Sequence, residues 1–225
     1  MCRIELKLDP ALDREKLLRE IEELSFLKDF QTFLEYTVVN KVNLTRGYIG
    51  KKHVHAINEG LMNNIKRESK DIEEKRHPLI LFIDSVARSL DLVNERKNLL
   101  VPTDRIDQFL SLSKFNQLAN ITMHWWNKLN WESLVRFPAY SRQIHNRKQV
   151  IKETISSYKC GQEMSFKDFD CKVAEGLGID YHGLEKDYLH LMFDEELDTI
   201  VMKPLEWFGS IRTRAEKKLL IPTLE

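Results

Sequence analysis

The chain has 225 residues, 42% of them apolar and 31% charged, enough for two small domains and too apolar for a disordered protein. Its 35 basic and 35 acidic side chains cancel, so no global field draws it to a polyanion, and any nucleic-acid affinity must come from local patches. No apolar run approaches the roughly 20 residues of a membrane span, and the charged start, MCRIELKLDPALDREKL, lacks the apolar core of a secretory signal. The expectation is a cytoplasmic protein without a membrane partner.

In chain order, Asp13 to Leu27 reads as an amphipathic helix with Leu17, Leu18, Ile21 and Leu24 on one side. A second helix runs from about Asp29 to Asn40 and ends before VNLTRGYIG, where Asn43 and Gly47 supply turn chemistry. A third, from Gly50 to Ile65, aligns Val54, Ile57, Leu61 and Ile65. Lys66 to His77 mixes both signs without apolar period and reads as a solvated loop or a frayed helix end, not a binding tract.

Pro78 then opens an apolar helix (Leu79, Phe82, Ile83, Val86, Leu90), followed by a short strand, a polar turn from Asn94 to Asn98, and the strand Leu99-Leu100-Val101. This pattern of a helix running into a two-stranded wing recurs at the C-terminus, where Ile200 to Thr223 ends in LLIPT against the LLVPT of Leu99 to Thr103. Glu59-Gly60-Leu61 and Glu175-Gly176-Leu177 occupy comparable points, so one unit is expected to occur twice.

Between the two units, Thr103 or Asp104 caps a helix with Ile106, Phe109 and Leu110. Ser113 caps another carrying Phe115, Leu118, Thr122, Trp125, Trp126 and Leu129. The tryptophans invite a base-stacking role, but large aromatics on an apolar helix face more often join domains, and that is the expectation. Arg136 to Lys152 carries five bases and no acid; Pro138 breaks any helix there, and a new one is expected from about Ser141 to Tyr158. The predicted fold is mainly α with short β-hairpin wings: an N-terminal helix (1–28), a first winged-helix-like unit (29–103), a helical connector (104–140) and a second unit (141–225).

The phrases VNLTRGYIG, LVPT and PLEWFG stand in order along most of the chain. On them the chain resembles a family of uncharacterised prokaryotic proteins that set a winged-helix-like helical region beside a plasmid Orf3-like domain related to an insertion-sequence passenger protein. The resemblance implies tandem winged helices in a plasmid or mobile-element context, and implies no catalytic residues.

Reaction chemistry finds no carrier. His53 and His55 are two apart and point in different directions on a helix, and no His-Glu-x-x-His, phosphate-binding glycine loop or Gly-x-Ser-x-Gly elbow occurs. No metal or cofactor is expected, and Cys2, Cys160 and Cys171 are expected to be free thiols, Cys171 partly buried. The acids Asp194, Glu195, Glu196 and Asp198 read as dipole complement on a solvated face.

Two non-enzymatic functions stay open. Duplex DNA would be held through phosphates by Arg96 and Lys97 in the first wing, by Arg142, Arg147 and Lys148 in the basic stretch, and by Arg212, Arg214, Lys217 and Lys218 in the second wing. The alternative is a protein-interaction or scaffolding module, whose partner is another protein or a further C-terminal domain. Leu224-Glu225 has the look of a vector-derived ending, so a longer natural chain is expected.

Overall fold

The computed structural model describes residues 14–66, 73–135, 138–158, 163–180, 188–214 and 218–220. Two helices, α1 (Arg14–Glu22) and α2 (Ser25–Val39), stand where a single helix to Leu27 was expected before the second. The chain turns at Glu23-Leu24, which lets Leu24 leave the α1 axis while Phe26, Leu27 and Phe30 enter the core.

VNLTRGYIG forms strands as well as a turn: β1 (Val42–Thr45) and β2 (Tyr48–Ile49) meet at Arg46-Gly47. Both turn residues have positive φ, 55° and 84°, the two-residue hairpin turn whose twist matches that of the strands. Helix α3 (Lys51–Gly60) stops five residues before Ile65 because Asn58 turns inward, its side chain bonding both the N–H and the carbonyl of Ile65.

Of the stretch before Pro78, residues 67–72 lie outside the described residues, and its end is not solvated: Glu74–Arg76 forms a 3-10 turn in which Glu74 is buried, followed by a fully buried His77. His77 caps α4 (Pro78–Ser89) by accepting from Ile80 N–H at 3.3 Å. The left-handed Asp91 (φ 58°) then turns the chain into the hairpin of β3 (Val93–Arg96) and β4 (Leu99–Pro102), closed by Lys97-Asn98 at φ 50° and 59°.

The connector holds α5 (Arg105–Leu110), α6 (Lys114–Asn127) and a 3-10 turn at Trp131–Leu134. Ser113 caps α6 as its spacing predicts, accepting from Asn116 N–H. The expected helix from Ser141 is two, α7 (Ser141–Asn146) and α8 (Lys148–Ser156), broken at Arg147. They are followed by β5 (Glu163–Ser165), α9 (Phe166–Leu177), α10 (Leu189–Leu197), a π-helical turn (Asp198–Met202), α11 (Lys203–Trp207), β6 (Arg212–Arg214) and β7 (Lys218–Leu220). Gly209, at φ 71°, ends α11 as Asp91 ends α4.

The protein is therefore mostly helical, with two small antiparallel sheets among the described residues, ordered β2-β1-β4-β3 and β5-β7-β6. In both, the strand before the middle helix pairs with the last strand: Val42 faces Leu100, and Glu163 faces Leu220. One apolar core runs through the chain from Ile21 to Ile211. Phe26 touches Phe82, Trp207 and Phe208, and Phe208 meets Trp125 edge-on at 5.4 Å, so aromatic rings from both sequence halves meet in one cluster. No described helix is long and apolar enough to cross a membrane.

Candidate functional site

The register of β1 on β4 puts the two hairpin turns at the same end of the first sheet, since Leu44 N–H donates to the carbonyl of Asn98. Arg46, Arg96 and Lys97 are exposed there. Arg46 is a base that the charge pattern of the wings did not single out; its signal was the Arg-Gly of a hairpin turn.

Behind this end lies Arg88 of α4. Its Nε reaches both oxygens of Asp84 at 3.0 and 2.9 Å, one Nη donates to the carbonyl of Gly47 at 3.2 Å, and the other stands 3.5 Å from Glu95. Glu74 lies against the same group and accepts the N–H of Ile49. Burial and the neighbouring Asp84 push the Glu74 carboxyl up to about 9, and burial also raises Asp84 against the pull of Arg88. An open cleft of about 300 Å³ leads to this cluster between Tyr48, Ser85, Leu129 and Ser133. All three nitrogens of Arg88 already face an oxygen, and they tie the β1–β2 turn, β3 and α4 to one another.

The basic stretch is differently occupied. Arg142 pairs with Glu132 at 2.9 Å, so the absence of acids within the stretch did not leave it free: the acid stands ten positions upstream. Arg147 donates to the carbonyl of Leu177 at 2.6 Å, tying α7 to the end of α9. Lys148 donates to the carbonyl of Trp126 and sits 4.3 Å over the Trp131 ring, where burial lowers its pKa to about 8. These side chains hold helices together. In the second hairpin Arg212 and Arg214 belong to β6 and Lys218 to β7, so they are strand residues where a turn was expected, and Lys217 lies outside the described residues.

The helix before each hairpin is inward-facing. Eight of the twelve residues of α4 are buried, Asp84 among them. Along α10, the π-helical turn and α11, Phe193, Leu197, Ile200, Val201, Met202 and Pro204 are buried, and the exposed charges, Glu195 and Glu206, are acidic. Glu196 is not on a solvated face. It is 3% exposed and accepts the backbone N–H groups of Ala139, Tyr140 and Ser141, satisfying donors at the start of α7.

The histidines diverge as their spacing predicts: His53 bonds the Tyr36 hydroxyl at 2.9 Å, and His55 faces Glu59 at 3.4 Å. Cys171 is a half-buried free thiol, while Cys2 and Cys160 lie outside the described residues. Among the described residues no group of three or more His, Cys, Asp or Glu could hold a metal. Compared with known proteins, the chain matches no family model, no curated protein and no solved structure.

Proposed function

We propose that this chain is a non-enzymatic, tandem winged-helix-like module that binds protein in preference to DNA. Support for the tandem reading comes from the shared strand orders β1-β4-β3 and β5-β7-β6. It also comes from the paired glycines: a Cβ on Gly60 would meet Thr32 of α2 at 3.2 Å, and one on Gly176 would meet Val150 of α8 at 2.5 Å. In each unit the glycine lets the second helix approach the first.

The observation that carries the protein-binding reading is the burial of α4. A helix that reads a major groove must offer a free polar face, and α4 packs Ile80, Phe82, Ile83 and Val86 at 1% exposure or less, with Asp84 also buried. The corresponding helix of the second unit offers acids to phosphates, which opposes binding. Exposed apolar side chains remain on other helices: Phe115 and Met123 of α6 at 41% and 58%, and Leu191 of α10 at 61%.

The experiment is a pair of measurements on the full chain, titration with random duplex and co-purification of a stoichiometric protein. The expected result is no duplex binding at about 50 mM salt, and a captured protein that is lost when Phe115→Asp and Met123→Asp are introduced into a still-folded chain. Salt-dependent duplex binding overturns it. One observation favours the second reading, DNA held through phosphates: Arg46, Arg96 and Lys97 share one exposed sheet end.

A further inference from the structure

We propose that Glu74 and Asp84 share a single proton and that this proton is the catch holding the Glu74–Arg76 turn against β2 and α4, so that the turn is released in alkaline solution. Glu74 is 1% exposed and Asp84 4%. The Glu74 carboxyl uses one oxygen to accept from Ile49 N–H, while its other oxygen, Oε1, is fully buried and has no partner so long as the group is ionised. Asp84 is its neighbour: both carboxyls line the same cleft, and each acts on the other's titration. Two carboxylates only repel at that contact; a carboxylic acid and a carboxylate bond. A proton on Glu74 therefore satisfies the orphaned oxygen and removes one of two adjacent buried charges.

The proton belongs on Glu74 because both oxygens of Asp84 already accept from the Nε–H of Arg88. Among the described residues that guanidinium is the cation paired with Asp84, and it is shared with Glu95 of β3. The other polar groups around the turn do not substitute for it. Tyr48 of β2 carries Lys75 over its ring at 4.3 Å, Arg46 is exposed, and buried His77 is occupied by Asn58 and Ile80 N–H.

The sign follows from the raised carboxyl. An unfolded Glu74 loses its proton near 4.5 and the folded one near 9, so the stabilisation is complete below the lower value and is lost as pH rises through the upper one. Above it, two buried carboxylates face each other beside one guanidinium. The turn is the part that yields, since α4 and the sheet are fixed by the core.

The test compares wild type with Glu74→Gln, whose amide donates to Asp84 and whose carbonyl still accepts from Ile49 but cannot ionise. Tryptic cleavage at Lys75 and Arg76, read by mass spectrometry in the full chain, is compared between the two proteins from mildly acidic to alkaline pH. The ratio of wild-type to variant cleavage should climb several-fold as pH rises toward about 9 and level off above it, with far-UV circular dichroism little changed. In parallel, the Glu74 carboxyl carbon of the wild type, followed by NMR, should titrate far above the ordinary carboxylate range. A cleavage ratio that stays flat with pH, or a Glu74 carbon that titrates like an exposed glutamate, overturns the proposal. The second readout decides the matter even if the glutamine variant does not fold.

Discussion

The indole N–H of Trp125 donates to the carbonyl of Ile200 at 3.2 Å, joining α6 to the π-helical turn 75 positions later. The next link is Trp131, whose own indole N–H donates to the carbonyl of Trp125 at 2.9 Å with the two rings stacked 5.5 Å apart. A π-helical turn carries one residue too many for an α ladder, and here it lies where a carbonyl is presented sideways to the connector. Trp125 and Trp131 are internal, and through Trp125 they are bonded to the other half of the chain.

Replacing Trp125 with Ala should accordingly cost about 3–5 kcal/mol in urea unfolding. Trp125→Phe, which fills most of the space but leaves the Ile200 carbonyl without its donor, should cost about 1–3 kcal/mol. Trp126 is only partly buried, and its alanine variant should lose clearly less. Equal losses at 125 and 126 would count against the arrangement.

Glu196→Ala removes the acceptor of three backbone N–H groups at once, two of them at Ala139 and Tyr140 and the third at Ser141. About 3 kcal/mol of stability should go with it. Glu195→Ala, one position earlier on an exposed site, should change stability by no more than about 0.5 kcal/mol. Denaturant midpoints of the two variants measure the difference.

The contrast explains what was legible in the sequence. The apolar spacing of Leu79 to Leu90 and the polar turn before Leu99 report local periodicity, and the helix α4 and the β3–β4 hairpin follow from them. Burial of a charge does not show in local spacing: Glu74 serves an N–H 25 positions away, and Glu196 serves one 57 away. Similarly, Arg142 looks unopposed until the fold brings Glu132 to it, and Arg147 and Lys148 are bases whose acceptors are carbonyls, which no charge count registers. The break between α1 and α2 was hidden because the apolar face continues across Leu24 while the axis changes.

Gly176→Ala should destabilise although alanine is the better helix former by about 1 kcal/mol. Its Cβ would stand 2.5 Å from Cγ1 of Val150, a β-branched side chain on α8 with little freedom to move aside. A net loss of about 1–2 kcal/mol is expected in thermal or urea unfolding, and adding Val150→Ala should return part of it. Additive effects of the two changes would show that the helices do not touch there.

Lys148→Met keeps the length of the side chain and removes its donor from the Trp126 carbonyl and its charge from the Trp131 ring. A loss of about 1.5–3 kcal/mol is expected, the range for a hydrogen bond to a charged group. Because Lys148 acts within the fold, Arg142→Gln, whose side chain is 77% exposed, should cost far less.

The central claim, that the two units present themselves to protein and not to a DNA groove, is tested most directly by titrating the full chain with a random duplex at about 50 and 200 mM salt. Wild type should produce no shift at either concentration. Binding at the lower salt that collapses at the higher one, and disappears when Arg46, Arg96, Lys97, Arg212, Arg214, Lys217 and Lys218 are reversed to Glu, would contradict it.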